Sequence, residues 1–303
     1  MTLRANGVPV INNRKMRMNG RRLSGNVSDQ RGMSGGKIAG IGGGIGGLII
    51  AALLVWFQGG NPLSVLTDSG ALHEIVSPQG AYQPTQHEEA LAEFASQILA
   101  GTEDVWTEEF KKHGMTYRAP KMVIYTGSVQ SGCGHATSQV GPFYCSADET
   151  VYIDLSFFDA MENEMKAGGD FAYAYVVAHE VGHHVQHLLG ILEESHNAQA
   201  KASQSEANRI SVRTELQADY FAGVWAYHDN AMFNSLEPGD IEEGLNAASK
   251  IGDDYLQMQA RGYTVPDSFN HGTSAQRVRW LKKGAETGSM EDGDTFSIPY
   301  SQL

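Results

Sequence analysis

The sequence predicts an α+β fold, mainly helical with one small antiparallel sheet, preceded by one transmembrane helix. Three observations lead there. The runs 171–189 and 205–227 repeat apolar residues at helical spacing. Val151, Ile153 and Leu155 alternate with Tyr152 and Asp154, as in a half-buried strand. Residues 38–57 form a stretch of 20 uncharged residues, long enough to cross about 30 Å of hydrocarbon.

Charge orders the rest of the chain. The first 37 residues carry eight Lys or Arg and one acid, Asp29, whereas the remainder carries 14 basic and 34 acidic residues. By the positive-inside rule, the basic flank makes 1–37 a disordered cytoplasmic tail lying against the anionic inner leaflet. Residues 38–57 are expected to be an uncleaved single-pass anchor in the cytoplasmic membrane, because no small-x-small cleavage site follows. Gly40 and Gly44, Gly42 and Gly46, and Gly43 and Gly47 have the four-residue spacing of helix-dimerising seams, so a dimer through this segment is an expected assembly. Residues 58–86 read as a tether and 87–303 as an extracytoplasmic, periplasmic body. Its acidic balance excludes nucleic acid as a partner.

Within the body, 87–113 reads as one broken or two consecutive helices, interrupted near Gly101 and Thr102. Met122 to Tyr125 is a strand candidate. Residues 147–150 form a turn between a strand ending near Cys145 and the alternating one that follows. Cys133 and Cys145 flank a short glycine-containing segment and are expected to form a disulfide on the oxidising side of the membrane. Asp240, with Glu243 three residues on, reads as a capping box that opens a helix running to about Ala260. A last helix spans about 274–284.

The most informative residues lie in the run 171–189. His179 and His183 are four apart, so their imidazoles leave one face of a largely buried helix and can reach one tetrahedral ion, for which zinc is the default. Glu180 is rotated about 100° from His179, beside the metal, where a general base for water belongs. Gly182, a poor helix former, leaves room for a neighbouring backbone or a substrate. His184 points about 100° away from His183 and reads as a structural or surface residue. His187 lies about 12 Å along the axis from His179, too far to share its ion. The second helix places Glu215 and Asp219 one turn apart, with Glu215 as third ligand and Asp219 accepting a ring N–H from a ligand histidine.

These residues carry a resemblance. His179-Glu180-x-x-His183 followed by Glu215-x-x-x-Asp219 resembles the gluzincin metallopeptidases. The fuller set GPFYCSAD (141–148), VYIDLSFF (151–158), VVAHEVGHHVQ (176–186), ELQADYFAGVWA (215–226) and HGTSAQR (271–277) resembles the bacterial neutral zinc metallopeptidase family over about residues 60–285. The resemblance implies a zincin-like domain over 87–303 and a membrane-attached peptidase with one Zn2+ per chain, acting on a peptide or protein substrate. It gives His179, His183 and Glu215 as ligands, Glu180 as the catalytic base and Asp219 as the support of a ligand. The strand ahead of the metal helix resembles the substrate-aligning edge of gluzincins, and an ordinary sheet covering the helices reads equally well. His271 and Arg277 resemble the H-P-x-x-x-x-R segment of CAAX-protease-type gluzincins, with Gly272 in place of the proline. His271 is then an oxyanion stabiliser; its other reading is as a helix cap, with Arg277 in a structural ion pair.

Two other classes compete. One is a non-catalytic membrane-tethered interaction module with a structural zinc site; the other is a zinc amidase acting on cell-wall peptides. Glu180 argues against the first, since a structural site needs no base and is closed by a fourth protein ligand.

Overall fold

The computed structural model describes residues 16–32 and 82–303. The expected anchor 38–57 and nearly all of the tether lie outside these residues. Among the described residues no helix is long and apolar enough to cross a membrane.

In chain order the described elements begin with β1 (Val27–Asp29), α1 (Gln86–Lys112), β2 (Lys121–Tyr125), β3 (Ser128–Ser131), β4 (Gly134–Thr137), β5 (Phe143–Cys145) and β6 (Thr150–Asp154). Helices α2 (Ser156–Ala160), α3 (Asp170–Leu188), α4 (Ile191–Gln199), α5 (Gln204–Phe233), α6 (Asp240–Lys250), α7 (Asp253–Arg261) and α8 (Ser274–Thr287) follow. The fold is mainly helical α+β, with α3 and α5 as its centre.

The sheet has the order β1-β2-β6-β5 and is mixed, not antiparallel as expected. β1 and β6 both run parallel to β2, and only β5 runs antiparallel to β6. The cause is the route between β2 and β6. The chain leaves the sheet for the hairpin β3–β4 and returns through the edge strand β5, so β6 re-enters in the direction of β2. Alternation then divides the side chains. Met122, Ile124, Val151 and Ile153 join the main core, while Val123, Tyr125 and Tyr152 pack with Val129 and Ala136 of the hairpin in a smaller cluster.

The helices meet through fully buried aromatics: Trp106 of α1 contacts Phe221 of α5 edge-on at 5.7 Å, and Phe171 of α3 stacks with Trp225 of α5 at 6.3 Å. Two helix assignments change. The helix expected from Asp240 to about Ala260 is two helices, because Asp253 and Asp254 turn their carboxylates onto the backbone N–H groups of Asn270, His271, Gly272 and Ser274. Glu243 forms no capping box. It accepts instead from the backbone N–H of Phe171 at 3.2 Å, at the start of α3.

The larger correction concerns the leader. Residues 16–32, expected to be disordered, are built into the body. β1 pairs with β2 from Val27↔Met122 to Asp29↔Ile124, and Met16 is buried. Arg21 forms two hydrogen bonds to Asp229, at 2.6 and 3.2 Å, and Arg22 reaches Glu103 and Asp104. Ser24 and Asn26 donate to Glu103, and Arg17 pairs with Glu237. Among the described residues, the basic side chains Arg17, Arg21, Arg22 and Arg31 each meet an acid of the body.

The same contacts explain α1. It is continuous through Gly101 and Thr102, because a side chain at Gly101 would lie 2.5 Å from a guanidinium nitrogen of Arg21 and 2.7 Å from Asp229 Oδ1. That glycine marks where the leader docks. Gly32 in turn abuts Tyr82, so the chain leaves and re-enters the described body at one place. A strand cannot pair with its neighbour across a bilayer. The expected arrangement, with the leader inside and the body outside, does not fit this packing.

Candidate metal centre

Helix α3 presents His179 and His183 on one face, and α5 crosses it with Glu215. Gly182 permits the crossing: an added Cβ there would lie 2.8 Å from the backbone oxygen of Ala218, so it is a neighbouring backbone that uses the space. The ligand atoms of His179, His183 and Glu215 all lie within 4.8 Å of one another. Glu215 oxygens stand 3.2 Å from Nε2 of His179 and 3.5 Å from Nε2 of His183. Zinc bonds of about 2.0 to 2.2 Å in a tetrahedron demand ligand separations of about 3.3 Å, which both Glu215–histidine distances match.

Both imidazoles are oriented through their other nitrogen. Nδ1 of His179 donates to Asp219 Oδ1 at 2.8 Å, and Nδ1 of His183 donates to Gln186 Oε1 at 2.9 Å, leaving both Nε2 atoms for the metal. Gln186 is itself anchored by the carbonyl of Thr214 at 2.8 Å and by Gln217 at 3.0 Å. Sequence reasoning missed it, although its position three residues after His183, on the same helical face, was the available signal.

Asp219 also accepts from the Tyr175 hydroxyl at 2.6 Å, and Arg277 grips it with Nε at 2.8 Å and Nη2 at 2.9 Å. Burial pushes the Asp219 carboxyl up, but Arg277 and His179 outweigh it and hold its pKa at about 2. Burial likewise disfavours a proton on His179, yet Asp219 and Glu215 raise its pKa to about 10 when no metal is present. The two carboxylates beside His179 thus favour positive charge at this point of the site. Glu180 is buried beside the trio, and burial raises its pKa against the pull of His179 and His183.

His271 lines the same cavity, of about 530 Å³, as the three candidate ligands and Glu180. Its loop is fixed by Asp253, whose Oδ2 accepts from the backbone N–H groups of Asn270, His271 and Gly272 at 2.9, 2.8 and 2.9 Å. The cap of α8 is Thr273, so the capping alternative for His271 is set aside. Arg277 is turned to Asp219 in a buried ion pair.

His184 lies on the far side of α3. It donates from Nε2 to the carbonyl of Arg118 at 2.5 Å and accepts from Tyr144 at Nδ1 at 2.9 Å, and burial lowers its pKa to about 4. His187 stands 3.4 Å from Glu149, outside the centre. Cys133 and Cys145 form a disulfide that ties the hairpin turn to β5, beside the cleft.

A family model described as "Putative neutral zinc metallopeptidase" matches residues 16–296, taking in the leader as well as both metal helices. The chain belongs to this family. It is 49% identical over 288 residues to the uncharacterised protein YpfJ of Escherichia coli (strain K12), covering 93% of this chain and 99% of that protein. It is 45% identical over 191 residues to the uncharacterised protein Rv2575 of Mycobacterium tuberculosis (strain ATCC 25618 / H37Rv), covering 60% of this chain and 64% of that one. No solved structure matches.

Proposed function

We propose that the protein is a zinc-dependent peptidase that hydrolyses peptide bonds in the cleft beside His179, His183 and Glu215, with one zinc ion per chain. The observation that carries this reading is a set of three convergent ligands with a buried acid next to it and an open cavity in front. A structural zinc site is normally closed by a fourth protein ligand, and among the described residues three converge here.

Zinc, when bound, supplies Lewis acidity that polarises the substrate carbonyl and makes water more acidic. Glu180 takes the proton of the attacking water and delivers it to the leaving amine. Its raised pKa brings it closer to neutrality, where proton exchange in both directions is efficient. His271, held by the Asp253-fixed loop, faces the oxyanion as it forms. Asp219 and Gln186 keep the two ligand histidines in the tautomer that leaves Nε2 unprotonated.

The disulfide supports action on an oxidising side of a membrane, the apolar run 38–57 supports attachment to that membrane, and the pairing of β1 with β2 supports leader and body lying on one side of it. The enzymatic test is a peptide-library digest with zinc, with a chelator, and with Glu180→Gln. We expect chelation to abolish cleavage, and Glu180→Gln to keep zinc while losing about 100-fold to 10,000-fold in rate. Cleavage that survives in Glu180→Gln would remove the mechanism.

A further inference from the structure

We infer that the cleft selects peptides carrying an uncharged apolar side chain next to the scissile bond, and that Phe157, Val176, Ile251 and Leu256 form the pocket that receives it. The inference rests on the peptidase reading above and gives it a substrate class.

The cavity has two unlike ends along α3. Val176 lies three residues before His179, one helical turn toward the N-terminus of α3. Phe157 of α2 belongs to the same end, since its neighbour Phe158 stacks on Tyr173 at 4.8 Å. The carbonyl of Ile251 accepts from Arg277 at 3.4 Å, which sets this residue level with Tyr175 and Asp219, and Leu256 follows one turn into α7. Four separate segments thus bring apolar side chains to one end of the cavity. Past His183 the lining is mixed, with Leu192 and His196 beside the polar Gln199, Ser211 and Thr214, where Ser195 of α4 bonds Thr214 of α5 at 2.8 Å.

Charge decides the class of substrate. Apart from histidines, the ionisable lining groups with a charge to offer are Glu180, Glu215 and Arg277. Arg277 is bound to Asp219, Glu215 belongs to the metal trio, and Glu180 serves the water. A lysine or aspartate side chain entering the apolar end would lose its hydration and meet no counter-charge, whereas an apolar one gains contact on several sides.

The test uses fluorogenic peptides that differ in one residue flanking the cleaved bond: Ala, Leu, Phe, Lys or Asp. Expected for the wild type is a kcat/KM for Leu and Phe at least about tenfold above Lys and Asp, the scale of discrimination that a hydrophobic pocket provides. Leu256→Ala should widen the pocket and shift the ratio of Phe to Leu about tenfold toward Phe. Ile251→Ala should move it the same way at a less buried position, so the test survives if Leu256→Ala fails to fold. The Kd values of the same peptides for Glu180→Gln should rank identically without turnover. Equal cleavage of charged peptides, or an unchanged Phe to Leu ratio in both folded variants, would overturn the pocket. If the wild type cleaves none of the peptides, the peptidase reading fails, and the binding ranks decide separately: an apolar preference keeps the pocket and a flat ranking removes it.

Discussion

Helix α5 carries two buried Arg–Asp pairs, and they hold different things. Asp219 is bound by Arg277 and passes that restraint to His179. Asp229, ten residues further along, is bound by Arg21 and fastens the basic leader to the body. In both, the aspartate is essentially inaccessible and the arginine nearly so, with side-chain exposures of 3% and 0% for Arg277 and Asp219 and of 9% and 1% for Arg21 and Asp229. Similar physics thus serves chemistry at one end of the helix and assembly of the chain at the other. A buried ion pair by itself does not indicate a functional site; what its carboxylate touches next does.

The comparison can be broken first at the leader. If residues 16–32 belong to the body, cysteines introduced as Ser28→Cys and Lys201→Cys should react with a membrane-impermeant maleimide together or not at all in intact cells. Labelling of one alone would separate leader from body. The next effect separates the two pairs. Arg277→Met leaves Asp219 buried without its arginine, held by His179 and Tyr175 alone, so a loss of about 3 kcal/mol in unfolding free energy is expected. Zinc affinity should fall about tenfold as Asp219, the partner of His179, loses its anchor.

Arg21→Met should likewise cost about 3 kcal/mol, with zinc affinity unchanged. Denaturant titrations and zinc competition on the two variants measure both quantities. A fall in zinc affinity in Arg21→Met would show that the pairs are coupled.

The smallest effect belongs to an exposed pair. The hydrogen bond from Arg118 draws the Glu149 pKa down from 4.5 to about 2, against a weaker opposing push from burial. Because the folded value lies below the unfolded one, the stabilisation is complete above about pH 4.5 and is lost as the pH falls through 2. Glu149→Gln should flatten this small acid-side slope in thermal melts. An identical slope would place the loss in other carboxylates.

The metal helices were legible because helical geometry converts spacing into direction. Residues four apart share a face whatever surrounds them, so His179 with His183, and Glu215 with Asp219, could be placed from the sequence. The leader was not legible in this way. Arg21 and Asp229 are 208 residues apart, and no local periodicity records such a pairing. A basic segment ahead of an acidic body fits partition by a membrane and complementarity within one fold equally well on composition. The mixed sheet was hidden for a related reason: alternation identifies strands but not the direction in which their neighbours run. Gly101 read as a helix break because a glycine that admits an arginine looks, in sequence, like one that ends a helix.

The central claim is that His179, His183 and Glu215 hold one zinc ion beside a catalytic Glu180. Calorimetric titration of the zinc-stripped protein, in the wild type, Glu215→Ala and Glu180→Gln, tests it most directly. One zinc per chain is predicted for the wild type and for Glu180→Gln, with binding lost or sharply weakened in Glu215→Ala. Wild-type affinity in Glu215→Ala, or no binding by the wild type, would contradict it.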